Sequence, residues 1–219
     1  KLNDLYSSTD FSIDDLHRTV VSGINPDYGR LGSKMNCRRC TFAYELRRRG
    51  FDVAATRTST GFGQNAVGLQ NVLDVEGRNR PTGLAGSIGS IVSEQIRGKR
   101  AEAKNEPSST PITNLSKNFG PGARQRVSPY RIFEDLKSMP DGARGELGVS
   151  WNALAGHSMV WEIVKGKPVI FDTQTGQRYT EESSEWHNDI LPRIQKAGIT
   201  RLDNVPLDMD FLLRWVKDG

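Results

Sequence analysis

Cysteine and histidine are scarce in this chain of 219 residues, which contains two cysteines and three histidines. Two cysteines are too few for the disulfide framework of a small secreted protein. A structural zinc site needs about four ligands, so the single Cys-x-x-Cys formed by Cys37 and Cys40 gives little support to a metal centre. A thioredoxin-like redox pair would follow a strand, and no strand is predicted directly before this pair.

Long apolar runs are also missing. No stretch approaches the roughly eighteen apolar residues that span a bilayer, and the amino end lacks a signal-peptide pattern. Only 36% of the residues are hydrophobic and the mean hydropathy is −0.55, so large parts of the chain are expected to be solvated loop. We expect one domain over residues 1–219 and no membrane insertion.

The charge of the chain is modestly positive, with a net charge of +4 and a pI near 9.1. Such values permit binding to nucleic acid or to an acidic partner but do not require it. Basic residues are not interleaved with aromatic ones in any run. A solvated basic surface is therefore the simpler interpretation, and nucleic-acid binding is not favoured.

A long polar stretch separates two regions that carry regular patterns. Residues 57–126 are rich in glycine, serine, asparagine and proline, and we expect a poorly ordered insertion there. Before it, an amphipathic helix is predicted over 36–50. After it come antiparallel strands and then helices over 180–196 and 207–217. This order predicts an α+β domain whose central helix packs on an antiparallel sheet.

Cys37 lies at the predicted start of the central helix, where Asn36 is a good N-cap. Unpaired backbone amides and the positive end of the helix dipole stabilise a thiolate there, and Arg38 and Arg39 add positive charge. The position suits a nucleophile, and the neighbouring amides are possible donors to an oxyanion. Burial as a small apolar side chain explains Cys37 equally well when it is taken alone, whereas Cys40 is interpreted as a packing residue.

A predicted β-hairpin brings a histidine and a carboxylate together. Lys165-Gly166 is a two-residue turn signal, which places His157 opposite Gln174 and diagonal to Asp172. That placement suits a base and its orienting carboxylate. The alternative role for Asp172 is to cap the turn that follows it. Together with Cys37, these residues predict a Cys-His-Asp triad.

Four short motifs resemble those of the papain-fold toxin family, often called Tox-PL. They are Asn36-Cys37-x-x-Cys40-x-x-Ala43, Gly142-Ala143-Arg144-Gly145, Gly156-His157-Ser158 and Asp172-x-Gln174-x-Gly176. The approach Gly23-Ile24-Asn25-Pro26 and the run Ala43-Tyr44-Glu45-Leu46-Arg47-Arg48-Arg49-Gly50 are similar to those of phage-borne and actinobacterial members. The resemblance covers roughly residues 20–55 and 130–178.

The resemblance implies a papain-like core and a role for each matching residue. Cys37 would be the nucleophile, His157 the base, Asp172 the orienting carboxylate and Gln174 a supporting site residue. Papain-type peptidases also have a glutamine several residues before the cysteine, which donates to the oxyanion. This chain has none there, and Asn36 is the closest amide side chain, either as that donor or as the helix cap.

Members of this family are described as glutamine deamidases or peptidases in bacterial polymorphic toxins and phage-encoded proteins. The resemblance therefore implies a cysteine-dependent amidohydrolase that deamidates glutamine side chains of a protein substrate and needs no cofactor or metal. It also implies an immunity or carrier protein as a further partner, and either delivery into a target cytoplasm or association with a phage.

Three other functions compete with this expectation. One is a papain-like cysteine peptidase, which would use the same triad. Another is a non-enzymatic basic module that binds nucleic acid or a protein through residues 99–126. The third is an ADP-ribosyltransferase, suggested by Arg57-Thr58-Ser59-Thr60, but no convincing Glu-x-Glu follows downstream.

Overall fold

A computed structural model describes residues 3–58, 124–152 and 155–219 of the chain. Of the expected insertion over 57–126, residues 59–123 lie outside the described part, and so does most of the basic stretch 99–126. The end of that stretch is described and includes a strand, Gln125–Val127. The described residues form a mixed α+β fold with few helices and a large antiparallel sheet, which confirms the predicted fold class.

Short helices flank one longer helix in the described residues. The α-helices are α1 (Ile13–Leu16), α2 (Cys37–Arg48), α3 (Ile132–Leu136) and α4 (Met209–Leu212). Helix α1 begins with a capping box formed by Ser12 and Asp15 and continues as a π-helical turn over His17–Val21. None of the described helices is long and apolar enough to cross a membrane.

Two antiparallel sheets account for the described strands. These strands are β1 (Val53–Ala55), β2 (Gln125–Val127), β3 (Arg144–Ser150), β4 (Gly156–Val164), β5 (Lys167–Asp172), β6 (Gln177–Tyr179), β7 (Lys196–Arg201) and β8 (Val216–Asp218). The large sheet has the order β2-β7-β3-β4-β5-β6, and β1 pairs with β8 in the small sheet. Strands β3 and β4, which carry the middle of the large sheet, pair over seven rungs from Arg144↔Glu162 to Ser150↔Gly156.

Helix α2 packs on one face of the large sheet, as the sequence predicts. The core on that side includes Phe42, Tyr44, Leu46, Val160, Val169 and Phe171. The core on the other face includes Ile132, Phe133, Leu136, Leu147, Met159, Trp161 and Trp186. The central strands are therefore covered on both faces. The packing of α2 against one of these faces fixes the position of its amino end.

The carboxyl end of helix α2 is held by a buried arginine. The Arg47 guanidinium donates to the carbonyl oxygens of Val53 at 2.6 Å, Val20 at 2.7 Å and Ser22 at 2.7 Å. Only 3% of Arg47 is exposed. This side chain therefore joins α2 to the chain on both sides of it, and it is not part of a solvated basic surface.

The two predicted C-terminal helices are largely wrong. Over 180–196 the structure has a π-helical turn (Trp186–Ile190), a 3-10 turn (Leu191–Arg193) and the beginning of strand β7. Pro192 lacks the N–H that a continuing helix needs, and from Lys196 onwards the chain pairs as a strand between β2 and β3. Over 207–217 only α4 is α-helical, because the chain then pairs with β1 as strand β8.

Candidate active site

Cys37 is the first residue of helix α2 and is half-buried. Its backbone N–H belongs to the first turn, where no intrahelical acceptor is available. The backbone N–H of Ser158 donates to the Cys37 thiol, and the thiol is also hydrogen-bonded to His157. The predicted nucleophile thus lies against strand β4, at the end of that strand that carries the predicted base.

His157 contacts both of the residues that the sequence assigns to it. Its Nε2 lies 3.0 Å from Oδ2 of Asp172, which leaves the other ring nitrogen for the Cys37 thiol. The side chains of His157 and Asp172 are only 13% and 9% exposed. The structure therefore brings Cys37, His157 and Asp172 together in the order that the triad prediction requires.

The electrostatics of these three groups favour a thiolate–imidazolium pair. Burial alone raises the pKa of the Cys37 thiol, but the hydrogen bond and charge of His157, with smaller help from Ser158 and Arg38, bring it below its ordinary value. Burial lowers the pKa of His157, but Asp172 and Cys37 outweigh it and raise that pKa to about 10. The imidazole is therefore protonated at neutral pH, and its charge favours the thiolate form of Cys37.

Asp172 performs both of the roles that the sequence left open. Its Oδ2 contacts His157, while its Oδ1 accepts from the backbone N–H groups of Gln174 at 3.1 Å and Thr175 at 3.3 Å. Burial raises the pKa of Asp172, but the His157 hydrogen bond and charge and the Thr175 hydrogen bond lower it below the ordinary value. The turn cap therefore also fixes the carboxylate for the histidine.

The hairpin that carries this pair has the predicted turn and register. Lys165 and Gly166 both have positive φ, at 51° and 74°, as a two-residue hairpin turn requires. The ladder runs from Val164↔Lys167 to Val160↔Phe171 and ends there. Beyond it the strands no longer pair, so the predicted pairing of His157 with Gln174 is not part of the ladder, although the His157 side chain still reaches Asp172.

Asn36 does not cap helix α2, contrary to the prediction. Its side chain makes no hydrogen bond to the first turn, and its Nδ2 instead donates to Oδ1 of Asn25 and to the carbonyl oxygen of Thr56, both at 3.1 Å. Asn36 is only 1% exposed. These partners hold it beneath the helix end, so its amide is engaged by the fold.

Gln174 takes the capping role from across the structure. With its carboxamide oxygen turned to the helix, it accepts from the backbone N–H groups of Asn36 and Cys37, both at 3.0 Å. In the opposite orientation its Nε2 donates to Oδ1 of Asn36 at 3.1 Å but faces two backbone donors, so the first orientation is preferred. A carboxamide oxygen thus already binds the N–H that an oxyanion at Cys37 would use.

The turn that contains Gln174 is braced by the amino-terminal region. The Asn25 amide donates to the carbonyl oxygen of Gln174 at 2.9 Å. Nε2 of His17 lies 2.5 Å from the carbonyl oxygen of Gly176, and the His17 ring stacks on Phe171 with centroids 6.3 Å apart. The segment that precedes α2, which includes His17 and Asn25, therefore contributes to the site although it contains none of the triad residues.

Trp151 is a site residue that the sequence analysis missed. Its ring stacks on His157, with centroids 6.2 Å apart and planes at 24°. The Arg193 guanidinium lies 4.9 Å from the centroid of Trp151. Trp151 directly follows strand β3, whose Val149 pairs with His157, so the β3–β4 register was the signal that would have found it.

Cys40 is buried with no exposed surface, as its interpretation as a packing residue predicts. Burial raises the pKa of its thiol well above the ordinary value, and the charges of Cys37 and Asp172 raise it further. Among the described residues, no group of three or more histidine, cysteine, aspartate or glutamate side chains could hold a metal ion.

No family model, curated protein or solved structure matches the chain.

Proposed function

We propose that this chain is a cysteine-dependent amidohydrolase with a papain-like core and Cys37 as its nucleophile. The observation that carries the proposal is the hydrogen-bonded arrangement of Cys37, His157 and Asp172, in which the thiol has a lowered pKa and the imidazole a raised one. A perturbed cysteine–histidine pair at a helix terminus is typical of acyl-transfer chemistry. The order of a cysteine helix followed by histidine and aspartate strands supports the papain-like core.

The reaction begins when the Cys37 thiolate attacks the carbon of a carboxamide. The carbonyl oxygen becomes an oxyanion, and His157 gives its proton to the nitrogen as the carbon–nitrogen bond breaks. Ammonia leaves and a thioester remains on Cys37. His157 then takes a proton from water, the hydroxide attacks the thioester, and the carboxylic acid leaves as the thiolate–imidazolium pair is restored.

The proposed substrate is a glutamine side chain of a protein. The motif resemblance supports deamidation, and it alone supports a toxin or effector role with delivery into a target cell. Peptide-bond cleavage uses the same thiolate, base and thioester, but its leaving group is a new amino terminus. The two reactions are therefore separated by their products rather than by the triad.

Incubation of the protein with cell lysate, followed by intact-mass and ammonia measurements, tests the proposal. Deamidation adds about one mass unit to a target and releases ammonia without new termini. In the Cys37→Ala variant the rate of product formation is expected to fall by about a thousandfold or more, whereas Cys40→Ala should keep most of the activity. New amino termini that depend on Cys37 would assign a peptidase instead. Products that persist in Cys37→Ala would contradict the nucleophile.

A further inference from the structure

Glu146 of strand β3 is a fully buried carboxylate next to the proposed active site, with 0% of the residue exposed. Its Oε1 accepts from Nε of Arg38 at 3.3 Å and from the Ser158 hydroxyl at 2.7 Å. Its Oε2 accepts from Nη2 of Arg124 at 3.0 Å. A buried carboxylate with three donors of this kind is well satisfied and stays ionised.

Two of these donors are sequence neighbours of the proposed catalytic residues. Arg38 follows Cys37 on helix α2, and Ser158 follows His157 on strand β4. Glu146 therefore joins the residue after the nucleophile to the residue after the base. These hydrogen bonds cross the interface between helix α2 and the sheet, next to the contact between the Cys37 thiol and the His157 imidazole.

A second hydroxyl extends the network back to the helix. The hydroxyl oxygens of Thr41 and Ser158 lie 2.9 Å apart, and the Thr41 hydroxyl lies 3.2 Å from the carbonyl oxygen of Cys37. Because Ser158 donates its one proton to Glu146, it accepts from Thr41, whose single proton is shared between the Ser158 hydroxyl and the Cys37 carbonyl oxygen. The chain of donors runs from Thr41 through Ser158 to the carboxylate, and each bond polarises the next.

The carboxylate at the end of this chain is permanently charged near neutral pH. Burial raises the pKa of Glu146, but the charges of Arg124 and Arg38 and the hydrogen bond of Ser158 outweigh it and lower the pKa to about 2. Ser158 itself is 3% exposed and Thr41 has no exposed surface. Water therefore does not compete for these hydroxyls, and their geometry is set by the protein.

We propose that Ser158 is a positioning residue, whose hydroxyl links Glu146 to Thr41 and so fixes the Cys37 end of helix α2 against the His157 strand. The inference rests on the proposed function, since it concerns a nucleophile and its base. The hydrogen bond between Cys37 and His157 depends on this alignment. When the alignment loosens, the imidazole stabilises the thiolate less and the thiol pKa rises.

The test is the pH dependence of alkylation in Ser158→Ala, with Tyr44→Phe as a matched control. Tyr44 lies on the same helix, and its hydroxyl donates to Glu162, the second carboxylate buried against α2. Each variant removes one hydroxyl from a buried glutamate and leaves every charge in place. The rate of Cys37 alkylation by iodoacetamide is measured from pH 4 to pH 10, with the modified residue located by mass spectrometry.

In Ser158→Ala the apparent pKa of Cys37 is expected to rise by about one unit, so that the rate at pH 6 falls about tenfold. Tyr44→Phe should keep the wild-type profile, even if its free energy of unfolding falls as much as that of Ser158→Ala. Thr41→Val conserves volume, interrupts the same network from the helix side, and should shift the profile in the same direction. It also decides the question if Ser158→Ala does not fold.

Identical profiles for wild type, Thr41→Val and Ser158→Ala would overturn the positioning role while leaving the proposed function intact. An equal shift in Tyr44→Phe would also overturn it, because the effect would then reflect a general loosening of the fold. An ordinary thiol pKa for Cys37 in the wild type would instead contradict the proposed function itself. The wild-type profile and the variant profiles thus separate the two failures.

Discussion

The two glutamates buried against helix α2 have opposite pKa shifts. Glu146, near the Cys37 end, has its pKa lowered to about 2, because two arginine charges and the Ser158 hydrogen bond outweigh burial. Glu162, near the carboxyl end, has its pKa raised, because burial outweighs the Arg48 charge and the Tyr44 hydrogen bond. Both residues are at most 1% exposed, so the difference lies in their partners and not in their depth.

This difference indicates that the two ends of the helix use arginine in different ways. At the Cys37 end, Arg38 and Arg124 keep a carboxylate ionised beside the proposed catalytic pair. At the other end, the arginines also bind backbone carbonyls, as Arg48 does with Tyr6 at 2.6 Å and Ser8 at 2.8 Å. The arginines at the Cys37 end therefore keep a buried carboxylate ionised, whereas those at the carboxyl end hold the backbone of neighbouring segments in place.

The largest stability effect is expected at the carboxyl end, from Arg47→Ala. The change leaves the carbonyl oxygens that Arg47 binds without their donor, and we expect a loss of about 4 kcal/mol in the free energy of unfolding. Urea unfolding at pH 7 measures it. Arg18→Ala is the control, since its side chain is 75% exposed and its ion pair with Asp15 should contribute little.

The alkylation profile of Cys37 should not change in Arg47→Ala under conditions where the variant remains folded. A shift of that profile as large as the one expected for Ser158→Ala would show that the two ends of α2 are not independent. It would also remove the basis for separating them by function.

A smaller effect, of opposite sign at the two ends, is expected from Glu146→Gln and Glu162→Gln. The folded-state pKa of Glu146 is depressed, so its contribution is present above about pH 4.5 and is lost as the pH falls towards about 2. Glu146→Gln should therefore be destabilised more at pH 7 than at pH 3, by about 2 kcal/mol. The folded-state pKa of Glu162 is raised, so its contribution is present at low pH and is lost as the pH rises.

Relative to the wild type, Glu162→Gln should thus become more stable as the pH rises from 3 to 7. Urea unfolding of the wild type and both variants at these two pH values gives the four differences that are needed. The same sign of pH dependence in both variants would contradict the contrast between the two carboxylates.

The parts of the site that sequence predicts are those set by local rules. The Lys165-Gly166 turn follows from neighbouring residues, and it fixes the register that brings Asp172 near His157. The start of α2 at Cys37 was also predicted, but from a cap by Asn36 that the structure does not have. Gln174 as the cap of α2 was not predictable in this way. It lies 137 positions from Cys37, and only the packing of α2 on the sheet brings the two together.

The errors in the fold have a similar cause. The apolar residues of 180–196 fit a helical period, but the chain there forms a π-helical turn and a 3-10 turn that includes Pro192. Strand β7, which begins at the end of this segment, lies between β2 and β3 and has four consecutive buried residues, so it lacks the alternation that marks a half-exposed strand. Strand β8 is only three residues long and exists because β1 is there to pair with it. The prediction of a solvated basic surface fails at Arg47 for the same reason. Its guanidinium is buried against backbone carbonyl oxygens that no local sequence pattern reveals.

The pH profile of cysteine alkylation in the wild-type protein tests the central claim most directly. We expect Cys37 to react with an apparent pKa below the ordinary value of about 9, and the profile to change again near pH 10 as His157 loses its proton. Cys40 should stay unmodified while the protein is folded, because it is buried and its pKa is raised. Preferential reaction of Cys40, or a Cys37 that titrates as an ordinary thiol, would contradict the account.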